Sequence, residues 1–448
     1  MTQLPLVDRP AEAVIAHCDG RAVTVAEFLA QASALADRLP ARRYAINLCG
    51  DRYQFFVSFA AVMLARQTSL LPPNRLAATI VELRAEHPDA YVLNDDDAVY
   101  DGGEHFDPRP LPAGERLAST ATIDADHPAA IVFTSGSTGG SKALAKPWGT
   151  LLSGARINVA EMGLADGHAR HLVATVPPQH MYGLETSILA PCVAPVAASA
   201  ARPFTPLDIH DALAAVPAPR LLVSTPVHLR AIHDSGGELP ALERIFSATA
   251  PLDVALARAL EDEYATTLSE IYGCSETGSL ARRRTSQDEH WRLFDGFELR
   301  VEGERGEVAA DHLPEPIVLQ DRIELHGRYL RLLGRAEDLV NIAGKRASLN
   351  DLTRRLQGIP GVMDGVIFEP PVTGTGPVER LAALVVAPRL DASTLRRELL
   401  ARIDEAFVPR PIRWVEALPR SETGKLARAA IMEAFESGHE GSVGDRRM

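Results

Sequence analysis

The stretch Thr134, Ser135, Gly136, Ser137, Thr138, Gly139, Gly140, Ser141, Lys142 runs without interruption, and the apolar residues Ala129 to Phe133 lead straight into it. The apolar run reads as a buried strand. Glycines allow main-chain N–H groups to approach an anion closely, while the hydroxyls and the lysine supply further donors, so a loop of this composition is suited to hold phosphate. It is not a Walker A loop. Ser141 stands where that motif has its second glycine, and Ala143 follows the lysine where a magnesium-binding hydroxyl is required. Taken alone, the stretch is also compatible with a Gly/Ser-rich surface turn, and Lys142 with an ordinary solvated lysine.

Other segments with chemical character follow in order: Pro177-Pro-Gln-His180-Met181-Tyr-Gly183, Ser247-Ala248-Thr249-Ala250-Pro251-Leu252, Tyr272-Gly273-Cys-Ser275-Glu276, Asp321, Gly334-Arg335-Ala-Glu337-Asp338, Gly344-Lys-Arg346 and Pro419-Arg-Ser-Glu-Thr-Gly424-Lys425. Together with Thr-Ser-Gly-Ser-Thr-Gly-x-x-Lys, this series resembles the adenylate-forming superfamily of acyl-CoA synthetases, peptide-synthetase adenylation domains and luciferases. The resemblance covers most of the chain. It implies that Thr134, Ser135, Gly136, Ser137, Thr138, Gly139 and Lys142 hold the β- and γ-phosphates of ATP. Thr249, Ala250, Pro251 and Tyr272 would meet adenine, Ser275 the α-phosphate, and Asp321 the ribose, with Arg335 adding a positive fork. Glu276 would help hold Mg2+, and Lys425 would bridge the acid carboxylate and the α-phosphate. Glu337 would be the hinge about which a small C-terminal domain swivels. Three positions depart from the usual pattern: Ser141 for proline, Ser275 for threonine, and Glu337 for aspartate or lysine.

The chemistry implied is carboxylate activation. A free carboxylate cannot be transferred to a thiol directly, because oxide would have to leave. Attack on the α-phosphorus of ATP gives an acyl-adenylate with a good leaving group, and catalysis is mainly positioning and neutralisation of charge. The acid pocket is expected to involve His180, Met181, Gly183, Thr225, Ala248, Gly273 and Ser279. His180 lines it without acting as a base, since the acid arrives ionised, and Cys274 is not a nucleophile. This set suits a neutral-bodied acid, with Glu185 the nearby carboxylate that an ammonium-bearing substrate would need. A weaker resemblance, in size and general character, is to the compact ligases of aryl-polyene and xanthomonadin-type pathways. It implies a hydroxybenzoate-type acid loaded onto the phosphopantetheine of an acyl carrier protein, or onto CoA. Arg328, Arg331, Lys345, Arg346 and Arg354 would form a basic landing site, or simply be solvated charge. The alternatives are a medium- or long-chain fatty acyl synthetase, an ATPase or kinase built on the Gly/Ser loop, and a silent nucleotide-binding protein of the same fold.

The elements that must position these residues alternate along the chain. Helical spacing runs from Val25 to Leu39 and from Tyr53 to Leu64, and apolar strands at Tyr44–Cys49, Leu221–Ser224 and Arg244–Ser247, a pattern of helix-covered, mostly parallel sheets. Asn94–Asp107 reads as a solvated acidic loop, and the Ala/Pro-rich run from Pro191 to Pro219 as packing helix and linker. Beyond Gly334, a helix near Leu349–Leu356, strands at Gly365–Phe368 and Leu381–Val386, and a helix at Ala392–Phe407 make a small α+β unit. The expected organisation is thus an α/β N-terminal domain, residues 1–334, for ATP and acid, and a mobile α+β domain, residues 335–448, carrying Lys425. The 448 residues exceed one ordinary core. A net charge of −13 argues against general nucleic-acid binding. Four scattered cysteines suggest no zinc site or disulfide framework, and the absence of a signal peptide or long apolar span suggests a cytoplasmic protein without integral membrane contact.

Overall fold

The computed structural model describes residues 2–96, 98, 100, 103–111, 121–135, 141–335, 339–342, 345–370, 380–421, 424, 426–437 and 439–440. The chain divides into two compact units, one drawn chiefly from Met1–Glu298 and Val308–Ile317, the other from Leu299–Glu307, Val318–Ser421 and Lys425–Met448. Glu337 and Asp338 lie outside the described residues, as do Gly344 and Lys425.

In the first unit, helices accompany two large sheets and a two-stranded one formed by Gln3–Pro5 and Thr122–Asp124. The larger carries five strands that matter for the site: β1 (Arg170–Ala174), β2 (Val196–Ser199), β3 (Arg220–Ser224), β4 (Arg244–Ser247) and β5 (Thr267–Cys274). They are mutually parallel in the spatial order β5-β4-β3-β1-β2, and Val14–Cys18 continues the sheet beyond β2. Strand β6 (Gly278–Arg283) returns antiparallel beside β5. Val, Leu and Ile dominate the inner strands, which are buried on both faces, as parallel sheets require. The smaller sheet runs Ser141–Pro147, Pro128–Ser135, Thr68–Leu71, Tyr44–Asn47, Ala90–Leu93, His105–Phe106. The expected helices are present as Val25–Ala36 and Arg52–Leu64, the first fixed by a capping box in which Thr24 and Glu27 satisfy each other's backbone N–H groups.

Three local expectations change. The Ala/Pro-rich run contains β2, fully buried in the larger sheet; its small residues conceal the strand pattern. In the acidic stretch after Asn94, Asp95 is buried and accepts bonds from the N–H groups of Gly50 (2.6 Å) and Asp51 (2.9 Å), while His105–Phe106 adds an edge strand. The phosphate-loop segment joins two antiparallel strands, in which Ser135 pairs with Ser141 and Thr134 with Lys142. No helix follows directly, so the helix-dipole contribution of a strand–loop–helix phosphate site is missing here.

The second unit has its own core of Val340, Ile342, Leu352, Leu356, Ile367, Leu395, Leu399 and Phe407. Its four-stranded sheet runs Asp364–Phe368, Ala382–Val386, Ile412–Trp414, His439–Glu440. Helices Leu349–Gln357, Ala392–Leu400 and Arg428–Ser437 accompany it, the second shorter than its apolar pattern suggests and followed by a separate turn at Glu405–Phe407.

Candidate active site

The site begins with strand order. The chain leaves β1 for β2 on one side of the sheet, then returns to build β3, β4 and β5 on the other. The carboxyl end of β1 is therefore a switch point, where departing connections diverge and leave a crevice. The residues picked out from sequence gather at this edge. Pro177–Gly183 follow β1, Thr225 follows β3, Ala248–Pro251 follow β4, and Tyr272–Glu276 end β5 and begin the turn into β6. Thr249 holds a left-handed backbone conformation, φ +80°, sharply redirecting the chain just after β4. The Tyr272 ring lies 5.7 Å from that of Trp291, which supports one side of it. Ser275 and Glu276 are half-buried. Asp321 and Arg335 belong to the second unit, where they are paired in register across the Ile317–His326 and Tyr329–Arg335 strands. Gly136, Ser137, Thr138 and Gly139 lie outside the described residues.

Two of the expected pocket residues serve as packing points. A Cβ on Gly183 would stand 2.1 Å from the Pro177 carbonyl oxygen, and one on Gly273 would stand 2.1 Å from that of Gly278. Glycine is required at both because backbone approaches backbone. Thr225 is fully buried, with its hydroxyl 2.9 Å from His228 Nδ1. Ala248 is buried. His180 is half-buried at the start of a short helix, α1 (Met181–Leu184), which runs into the π-helical turn Glu185–Leu189. Such turns offset side chains from regular helical positions and recur at functional sites.

That turn carries Glu185, the most unusual group nearby. Its carboxylate is buried and accepts from the Ser279 hydroxyl at 2.7 Å and the Ser279 N–H at 3.0 Å. Burial pushes its pKa up to about 7, against the opposing pull of the Ser279 bonds and the charge of Lys146. Lys146 is itself buried. Its ammonium donates to the Glu276 carbonyl oxygen at 2.7 Å and so anchors the turn that bears the proposed magnesium ligand. Burial lowers the Lys146 pKa, opposed by Glu185, Cys274 and Glu276. Beneath the crevice, the buried Arg52 guanidinium donates to the carbonyls of Ala174 (2.7 Å) and Val176 (2.9 Å) and to the Ser187 hydroxyl (2.5 Å). It ties the end of β1 to the Glu185 turn, and burial lowers its pKa to about 9. Lys146 was detectable as a charged residue that follows directly on the apolar run Ala143–Ala145; Arg52 opens a helix and carries no local signal of burial.

The residues present fit ATP and Mg2+. Magnesium keeps several waters and needs only one or two protein carboxylates beside phosphate oxygens, a role the half-buried Glu276 can fill. Among the described residues no group of three or more His, Cys, Asp or Glu side chains could hold a metal by itself. The Cys274 thiol lies 3.2 Å from the Thr277 hydroxyl and its pKa is raised by burial, as befits an inert thiol. The suggested basic landing site is largely compensated. Lys345 pairs with Asp404 at 2.6 Å, Arg354 with Asp351 at 3.1 Å, and Arg331 with Glu324 at 3.9 Å. No described helix is long and apolar enough to cross a membrane.

Residues 7–297 match the family model described as AMP-binding enzyme. The chain belongs to this family. A 4-coumarate–CoA ligase of Halorhodospira halophila is 30% identical over 331 residues, covering 70% of this chain and 80% of that protein. A 3,4-dihydroxybenzoate–[aryl-carrier protein] ligase of Bacillus anthracis is 22% identical over 317 residues, covering 68% and 74%. The structure of o-succinylbenzoate CoA synthetase from Bacillus subtilis, in complex with its acyl-adenylate intermediate, superposes with a TM-score of 0.82 at 17% identity, covering 99% of this chain and 100% of that one. At that identity the likeness establishes the fold, which is that of the adenylate-forming superfamily. As a member of the AMP-binding family, the protein is an ATP-dependent acid–thiol ligase.

Proposed function

We propose that this ligase activates a hydroxybenzoate-type aromatic acid as its acyl-adenylate, releasing pyrophosphate, and transfers the acyl group to the pantetheine thiol of CoA or of an acyl carrier protein. The observation that carries the reading is the convergence of Pro177–Gly183, Thr225, Ala248–Pro251 and Tyr272–Glu276 at the carboxyl edge of β1, β3, β4 and β5. In this reading Tyr272, backed by Trp291, supports adenine, and the Thr249 turn borders it. Ser275 and Lys142 contact phosphate, Asp321 the ribose, and Glu276 the metal, which when bound neutralises phosphate charge. Lys425 stabilises the charge shared by the attacking carboxylate and the α-phosphate. The names of the two relatives, with their coumarate and dihydroxybenzoate substrates, support an aromatic acid. The buried polar pair Glu185–Ser279 disfavours a wholly apolar fatty acyl chain.

The test is pyrophosphate release with ATP and Mg2+ across benzoates, cinnamates, fatty acids and amino acids, followed by thioester formation with CoA and with a phosphopantetheinylated carrier protein. Release that depends on an aromatic acid supports the reading. Release with fatty acids alone overturns the substrate class, and nucleotide binding without release points to a silent protein.

A further inference from the structure

Strand β6 runs into three consecutive arginines, and each is paired with a different buried glutamate: Arg282 with Glu161 at 3.6 Å, Arg283 with Glu270 at 2.8 Å and Arg284 with Glu261 at 2.9 Å. Glu270 stands directly opposite Arg283 on the neighbouring strand β5. The guanidinium gives the carboxylate both Nε and Nη2, while Nη1 donates to the Glu289 carbonyl at 3.2 Å. The pair is largely closed off from solvent, the two side chains being 17% and 2% exposed.

Glu270 carries this pair to the turn after β4. Its Oε1 accepts from the Leu252 N–H at 2.8 Å, at the end of the Ser247–Leu252 segment, while Arg283 and the Thr285 hydroxyl (2.7 Å) hold Oε2. A second arm leaves the same guanidinium. Its central carbon lies 4.6 Å from the centroid of the Trp291 ring, a cation–π contact, and that ring in turn lies 5.7 Å from the ring of Tyr272. Arg283 therefore reaches, through one intermediary each, both the turn after β4 and Tyr272. The neighbouring pair is built alike but placed elsewhere. Arg284 gives Nε and Nη2 to Glu261, whose Oε1 accepts from the Leu268 N–H at 2.7 Å, and this ties helix Val254–Tyr264 to the start of β5, at the end of that strand away from Tyr272.

Resting on the reading above in which Tyr272 and the turn after β4 border adenine, we propose that Arg283 is a positioning residue for the nucleotide base. It fixes the Leu252 end of the turn through Glu270 and the Tyr272 ring through Trp291, and so sets the preference of the site for adenine. Without the guanidinium, Glu270 is a buried charge short of its cation and has to be rehydrated, and Leu252 and Trp291 lose their common support.

The experiment titrates ATP and GTP calorimetrically, with Mg2+ and without any acid. The wild-type protein is expected to bind ATP about 10-fold or more tightly than GTP, since a site shaped to one base leaves polar groups unpaired against the other. In Arg283→Met the affinity for ATP should fall about 10-fold and the preference over GTP should shrink to about threefold or less, because a small displacement of the contact surface is enough to spoil its fit. KM for the acid preferred in the panel above should stay within about twofold, since neither arm reaches the segment after β1. Arg283→Lys should recover part of the preference, keeping a cation but not the planar fork. Arg284→Met, which breaks the matching pair at Glu261, should keep the wild-type preference. If Arg283→Met does not fold, Arg283→Lys and Trp291→Leu, which cuts the second arm alone, decide, and each should reduce the preference. A preference that survives in Arg283→Met, or that is lost equally in Arg284→Met, overturns the inference and leaves the adenine placement standing. Equal binding of ATP and GTP by the wild-type protein overturns the adenine placement itself. The titrations need no acid, so a failure of acid activation is told apart from a failure of this inference.

Discussion

Replacing Glu185 by glutamine should change how stability depends on pH. In the unfolded chain a glutamate titrates near 4.5, whereas burial raises the folded value to about 7. The folded protein therefore holds a proton that the unfolded chain has released over this interval. Stability associated with this group is fully present below about pH 4.5 and is lost as pH rises through about 7. A shift of this size corresponds to about 3 kcal/mol at 1.36 kcal/mol per unit. The groups near the carboxylate, Ser279, Lys146, Tyr182 and His312, remain in the variant, so titrations that are not coupled to Glu185 cancel when the two proteins are compared. The substituted glutamine is isosteric and can keep the contact with Ser279, which leaves an offset independent of pH. Denaturant unfolding at intervals from pH 4 to pH 8 should show Glu185→Gln gaining about 3 kcal/mol relative to wild type across the range, with most of the change between pH 4.5 and 7. A difference that stays constant with pH would refute a carboxylate whose pKa is raised by burial.

Other outcomes follow from other parts of the structure. His17 Nε2 and His171 Nδ1 are 2.8 Å apart, and burial first, then the neighbouring imidazole, holds the His171 pKa down at about 4. The pair is neutral when folded, so stability should fall as pH drops from about 6.5 to 4, and His171→Asn should flatten that slope in thermal melts. Gly183→Ala should destabilise by about 3 kcal/mol or give insoluble protein, because the new methyl group meets the Pro177 carbonyl with no room to shift. Lys146→Met should lower kcat/KM for adenylation about 10-fold or more and raise the Mg2+ concentration for half-maximal rate, by releasing the turn that holds Glu276; an unchanged Mg2+ dependence would show that the anchor is immaterial. Lys425→Ala should slow adenylation by about 10²–10³-fold while barely affecting thioester formation from supplied acyl-adenylate. Equal losses in both half-reactions would contradict a lysine that serves only the first.

What was legible in the sequence was what chemistry requires to be contiguous. The segments proposed to meet phosphate, adenine and carboxylate are short and ordered, and β3 and β4 announce themselves as apolar runs, Leu221–Ser224 and Arg244–Ser247. What was hidden depends on contacts across the chain. Glu185 meets Ser279 from 94 positions away, and Lys146 reaches Glu276 across 130, so no local pattern reports either bond. Strand β2 was masked by its own composition, since Val-Ala-Ala-Ser in an Ala/Pro-rich run looks like linker until the sheet buries it. Gly183 and Gly273 were expected to line the acid pocket, but spacing could not reveal that each is glycine because a carbonyl presses against it.

The central claim is that this chain joins a carboxylic acid to AMP before any thiol takes part. Exchange of labelled pyrophosphate into ATP, measured with Mg2+ and the preferred acid in the complete absence of CoA and carrier protein, tests it directly. Rapid exchange that requires the acid and ceases without it is the expected result. Release of orthophosphate in place of pyrophosphate, or exchange that appears only when a thiol is added, would contradict the account.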